Sequence, residues 1–132
     1  MNATLKAFQA YKETGSATAL TDATPHQLTA LLLKALLDKL AIADGSIARG
    51  DVAQRCEAIG RAIEIVLELK NTLNHDLGGR IATELDRLYE FCINELLDAN
   101  TQKSSDKIEA VRRVISEINE AWINIAPSRG EV

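Results

Sequence analysis

Residues 77–100 read LGGRIATELDRLYEFCINELLDAN, a run with a glycine start, a long amphipathic middle and a polar stop. At about 100° per residue from Ile81, the residues Ile81, Leu85, Leu88, Tyr89, Cys92, Ile93, Leu96 and Ala99 fall on one side of a helix. Thr83, Glu84, Arg87, Glu90, Asn94 and Asp98 fall on the other. The spacing predicts one complete helix with an ordinary core stripe. Two large apolar residues lie off that stripe: Leu97 just past one edge, and Phe91 among the charges, where burial in a single core would not place it.

Working outward, the same period recurs in three further segments. On the N-terminal side, Asp51 with Gln54 caps a helix predicted to run to about Asn74. Its stripe is Val52, Cys56, Ile59, Ile63, Val66, Leu67 and Leu73, with Leu69 at its edge; Glu57, Arg61, Glu64 and Glu68 form its wet face, and Ile65 is displaced. Before it, Thr24-Pro25-His26-Gln27 combines an N-cap threonine, a proline at the first helical position and a glutamine that completes a capping box. The helix it starts ends near Gly50. Its apolar belt, from Leu28 to Ile47, includes Leu33 and is widened by Leu37, covering more than a core-facing stripe needs. That excess predicts either neighbours on two sides or a groove that receives something else.

After residue 100, Asn100 to Lys103 read as a turn, and Asp106 with Glu109 as another capping box. The last helix places Ile108, Val111, Ile115, Ile118, Trp122 and Ile125 on one face, leaving Ile123 off it, and Pro127 and Gly130 end it. Four helices joined by short connections predict an all-α fold, an antiparallel up-and-down four-helix bundle over 24–126. Residues 1–23 read as an N-terminal arm and linker, with Phe8 and Tyr11 on one side of a short helix, and 127–132 as a flexible tail.

Composition narrows the function. Aromatic residues are only 4% while leucine, isoleucine and alanine abound, which favours helix, and 132 residues suffice for one core. With 15 basic against 19 acidic residues and no basic stripe, nucleic acid is not an expected partner. The chain has no leader-like N-terminus and no apolar run fit to span a bilayer, so a cytoplasmic (cytosolic) protein without membrane insertion is expected. Cys56 and Cys92 lack metal-site spacing and fall on apolar stripes, as core thiols do. No glutamate stands three residues before His26 or His75, as a di-metal bundle site requires. Gly78-Gly79-Arg80 reads as a tight interhelix turn. Neither an enzyme, a cofactor nor a small-molecule substrate is expected. What remains is apolar surface: Phe8, Tyr11, Leu33, Leu37, Ile65, Phe91, Leu97 and Ile123 are the candidate partner-binding residues, suited to a groove for an amphipathic segment.

With these residues in view, the chain resembles the flagellin-specific export chaperone family. The resemblance is carried by Tyr11, by Ala23-Thr24-Pro25-His26-Gln27-Leu28, by Gly50-Asp51 and by Ala121-Trp122. Above all it rests on Leu77-Gly78-Gly79, Ile81-Ala82, Leu85, Leu88-Tyr89, Leu96-Leu97 and Ala99-Asn100. It spans nearly the whole chain and departs from the family pattern at Leu32-Leu33-Lys34-Ala35. It implies a four-helix bundle that binds the C-terminal helical segment of flagellin, prevents premature polymerisation and helps deliver it to the flagellar export gate. It also implies that the arm with Phe8 and Tyr11 lies over part of the client groove. The residues alone also allow a regulatory or structural bundle that dimerises through the same surface, and the departure from the family pattern at Leu32-Leu33-Lys34-Ala35 allows a chaperone for another export substrate.

Overall fold

The computed structural model describes residues 23–125, which form α1 (Pro25–Arg49), α2 (Val52–Asn71), α3 (His75–Gln102) and α4 (Ser105–Ile123). Phe8, Tyr11, residues 1–22 of the expected arm and the tail at 127–132 lie outside the described residues. Among the described residues there is no strand, and no helix is long and apolar enough to cross a membrane.

The caps explain the boundaries. At the start of α1, Thr24 Oγ1 accepts from the Gln27 N–H at 3.1 Å while Gln27 Oε1 accepts from the Thr24 N–H at 2.9 Å, the reciprocal pair expected from the sequence. Gly50 stops the helix at φ 70°, a left-handed conformation that costs glycine little, and Asp51 caps α2 by accepting from the Gln54 N–H at 3.0 Å. Two predicted boundaries move. Instead of ending near Asn74, α2 stops at Asn71; Thr72 Oγ1 donates back to Leu69 O, and Asn74 becomes the N-cap of α3, accepting from the Leu77 N–H at 3.0 Å. The last helix starts from Ser104, whose hydroxyl accepts from the Lys107 N–H, rather than from a box at Asp106 and Glu109; Glu109 pairs with Arg112 and Arg113 instead. The glycine pair marks a break within His75–Gln102, as the expected tight turn requires: Gly79, at φ 50° and ψ −121°, separates the short helical turn before it from the continuous helix beyond.

Each helix packs on two others, α1 against α2 and α4, and α3 against α2 and α4. Long-range contacts give the directions. His26 at the start of α1 meets Trp122 at the end of α4, Arg55 in α2 donates to Asn100 late in α3 at 3.0 Å, and Glu95 in α3 bonds Lys107 early in α4 at 3.4 Å. This is an antiparallel up-and-down four-helix bundle. Leu32, Leu36 and Leu40 of α1, Ile59, Val66 and Leu69 of α2, Tyr89 and Leu96 of α3, and Ile108 and Ile115 of α4 fill its centre. Burying each such side chain fully stabilises the fold by about 1.5–3 kcal/mol before chain entropy is counted.

The orientation of α2 departs from the sequence reading. Its buried face is Arg55, Ala58, Ile59, Ala62, Ile65, Val66, Glu68 and Leu69, whereas Val52, Cys56 and Leu67 are exposed. A stripe drawn through the largest apolar residues overlooks Ala58 and Ala62, whose small side chains let helices approach closely and which turn Ile65 and Leu69 into the core. Glu68, read as part of the wet face, is buried and accepts from Asn71 Nδ2 at 3.4 Å.

Candidate functional site

The apolar stripe of α3 is not covered along its whole length. From Tyr89 onward it is core; toward its start, Ile81 is 60% exposed and Leu88 39%. These two residues and Leu85 form one wall of a groove of about 490 Å³. Val114, Ile118, Ala121 and Trp122 of α4 form the other, and Ile125 closes its end. Of the nine lining side chains only Glu117 is ionisable. The groove is open because α4 offers small residues there. Along the flank of α4 that faces α3, valine and alanine stand at 114 and 121, one turn either side of Glu117, too short to reach Ile81 and Leu85.

The groove has a rigid base. The His26 ring stacks on Trp122 with centroids 5.0 Å apart and planes 12° from parallel, and Trp122 Nε1 donates to His26 O at 2.9 Å. Pro25 and the Thr24 capping box fix His26 in turn, so the start of α1 holds a groove residue in place. On the far side, Lys70 of α2 bridges Asp86 at 3.1 Å and Glu90 at 2.6 Å, tying down the outer flank of α3. The hydrogen bond to Glu90 is the main reason the Lys70 ammonium titrates above its ordinary range. Cys92, one turn beyond Leu88 in the core, has its thiol pushed up to about 12, first by burial and then by Glu95. It is an unreactive thiol at neutral pH. Cys56 is exposed, contrary to the expectation of a core thiol, because α2 is turned away from its predicted stripe; both cysteines are free.

The residues named from sequence scatter. Phe91 is 42% exposed, three positions after Leu88 and four before Glu95, so it sits on the flank of α3 toward α4, beside the groove. Leu97 is exposed seven positions after Glu90, on the flank toward α2, and Ile123 is exposed on the side of α4 away from Ala121. Leu37 is half-buried against the core. Leu33, at 0% exposure, and Ile65, at 5%, are core residues rather than free surface: α1 has neighbours on two sides, and the alanines of α2 rotate Ile65 inward. Sequence reasoning missed the groove itself, assigning Ile81, Leu85 and Leu88 to ordinary core. The available signal was the pairing of those large residues with valine, glutamate and alanine on α4. His26 and His75 occupy the first turns of α1 and α3, and no group of acidic, histidine and cysteine residues suited to a metal is present among the described residues.

The fold and site define an all-α four-helix bundle with an uncovered apolar groove between its last two helices. Comparison with known proteins narrows the class. The model of the family described as flagellar protein FliS matches residues 7–129. The chain is 37% identical over 125 residues to flagellar secretion chaperone FliS of Salmonella typhimurium, covering 94% of this chain and 93% of that protein. To flagellar secretion chaperone FliSB of Pseudomonas aeruginosa it is 34% identical, covering 92% and 97%. To the Vibrio cholerae chaperone FliS it is 31% identical, covering 90% and 88%. The chain belongs to the FliS family of flagellar secretion chaperones, which are not enzymes.

Proposed function

We propose that this chain acts in the cytosol as an export chaperone for flagellin, receiving the C-terminal helical segment of flagellin in the α3/α4 groove. Held there, the segment is withheld from polymerisation until flagellin is handed to the export gate. The observation that carries the reading is the groove of about 490 Å³ with eight of nine lining side chains apolar. An uncovered trench of that kind gains by accepting the apolar face of a helix. The segment folds as it binds, so apolar burial must exceed an ordering cost of about 2–5 kcal/mol or more. The described chain begins beside the groove, since Thr24 caps the turn that holds His26 against Trp122. That placement supports the arm, with Phe8 and Tyr11, as a cover that the client displaces.

The test is titration calorimetry with a recombinant C-terminal fragment of the host flagellin. Wild type is expected to bind one-to-one with a gain in helicity. Ala121→Trp, which fills the groove from an exposed position, should weaken binding by at least about tenfold, the equivalent of roughly 1.4 kcal/mol, without loss of fold. Unchanged affinity, or homodimerisation with no client bound, would overturn the assignment.

A further inference from the structure

We propose that the groove selects a helix carrying a lysine or arginine beside its apolar face, and that Glu117 is the residue that reads it. The inference rests on the groove being the client site. Glu117 is the one ionisable side chain of the lining, and no basic residue among the described ones pairs with it. The basic residues within one or two turns on its own helix are committed elsewhere: Arg112 donates to Glu109 at 2.8 Å and to Ser116 at 3.4 Å, and Arg113 lies 3.5 Å from Glu109. Across the groove, Arg80 near the start of α3 pairs with Glu84 at 3.3 Å.

The Glu117 carboxylate is exposed to solvent. A helix laid over the trench removes that solvent from at least one side, and an uncompensated carboxylate against apolar surface opposes docking. A cation on the incoming helix turns the same contact favourable. The net charge of the chain, −4, favours approach of a basic segment over an acidic one. Spacing sharpens the requirement. Glu117 and Ala121 are one turn apart on α4, and the small side chain at 121 leaves depth beside it. The helix that fits therefore places a bulky apolar residue over Ala121 and its lysine or arginine three or four positions away, over Glu117.

The experiment measures binding of the flagellin C-terminal fragment to wild type, Glu117→Gln, Glu117→Lys and Ala121→Trp across a range of sodium chloride concentrations, with circular dichroism confirming each fold. Glu117→Gln should weaken binding about two- to fivefold at low salt and flatten its salt dependence. Glu117→Lys should weaken it further, by about tenfold. Changing the lysines and arginines of the fragment singly to glutamate should yield one that restores binding to Glu117→Lys. If Ala121→Trp blocks binding while both Glu117 variants match wild type at every salt concentration, this proposal falls and the groove assignment stands. If Ala121→Trp has no effect, the segment lies elsewhere and both fall together.

Discussion

Tyr89 and Phe91 stand two positions apart on α3, one fully inside the bundle and the other half in water. The difference of about 160° around the helix follows from the step of about 100° per residue. Their truncations should diverge accordingly. Tyr89→Ala removes a ring from the centre of the core and should cost about 3–5 kcal/mol in urea unfolding, the range for large aromatic-to-alanine changes. Phe91→Ala should cost about 1–2 kcal/mol, less than Tyr89→Ala because at 42% exposure only part of its surface is withdrawn from water, while weakening flagellin binding through the flank of the groove. A loss of about 3 kcal/mol or more at Phe91 would mean that the ring is packed like a core residue in the free protein and is not a client contact. Tyr89 lies in the Leu88-Tyr89 pair that carries much of the family resemblance, and the two members of that pair do different jobs. Tyr89 holds the bundle together, and Leu88 lines the groove.

At the scale of the helix, Gly79 decides how α3 enters the groove. Its φ of 50° with ψ of −121° is open to glycine and strained for any residue with a Cβ, although space for the atom itself is free. Gly79→Ala should therefore cost about 1–3 kcal/mol through the backbone alone. Because Ile81 follows two residues later, it should also weaken client binding; urea unfolding and calorimetry on one sample separate the two effects. An alanine variant as stable as wild type would show that the kink relaxes without penalty. The helices differ in how far sequence revealed them. Caps at Thr24, Asp51 and Gly50 and the face of α4 were legible because each is written in local chemistry or in large residues at a clean period. The rotation of α2 was not, because Ala58 and Ala62 contribute to packing by being small, which a search for bulky apolar residues discounts. Nor was the groove, since amphipathicity marks which side of a helix is apolar and not whether a neighbour is large enough to cover it. Phe91, Leu97 and Ile123 were recognised as exposed because each breaks a stripe, but their grouping depends on which helix lies beside each flank.

For the molecule as a whole, the buried titratable groups set how stability responds to pH. Burial pushes the Cys92 thiol up from 9.0 to about 12 and the Tyr89 phenol well above its ordinary 10.0, so the folded bundle keeps both protons where the unfolded chain gives them up. The sign follows from linkage: wherever the unfolded state binds fewer protons than the folded one, stability falls as pH rises. Stability should therefore be level through neutral pH and decline from about pH 9, at up to about 1.4 kcal/mol per pH unit for Cys92 alone. Tyr89 joins above about pH 10, and the raised Lys70, whose pairing with Glu90 and Asp86 is lost on deprotonation, joins later still. The window between pH 9 and 10 thus isolates the thiol. In urea unfolding series across that window, Cys92→Ala should start from a plateau lower by about 1 kcal/mol, for the packing it removes, and decline less steeply than wild type. Equal slopes for wild type and Cys92→Ala would mean that the unfolded ensemble or another group governs the alkaline limb, and that the core around Cys92 admits enough water to hold a thiolate.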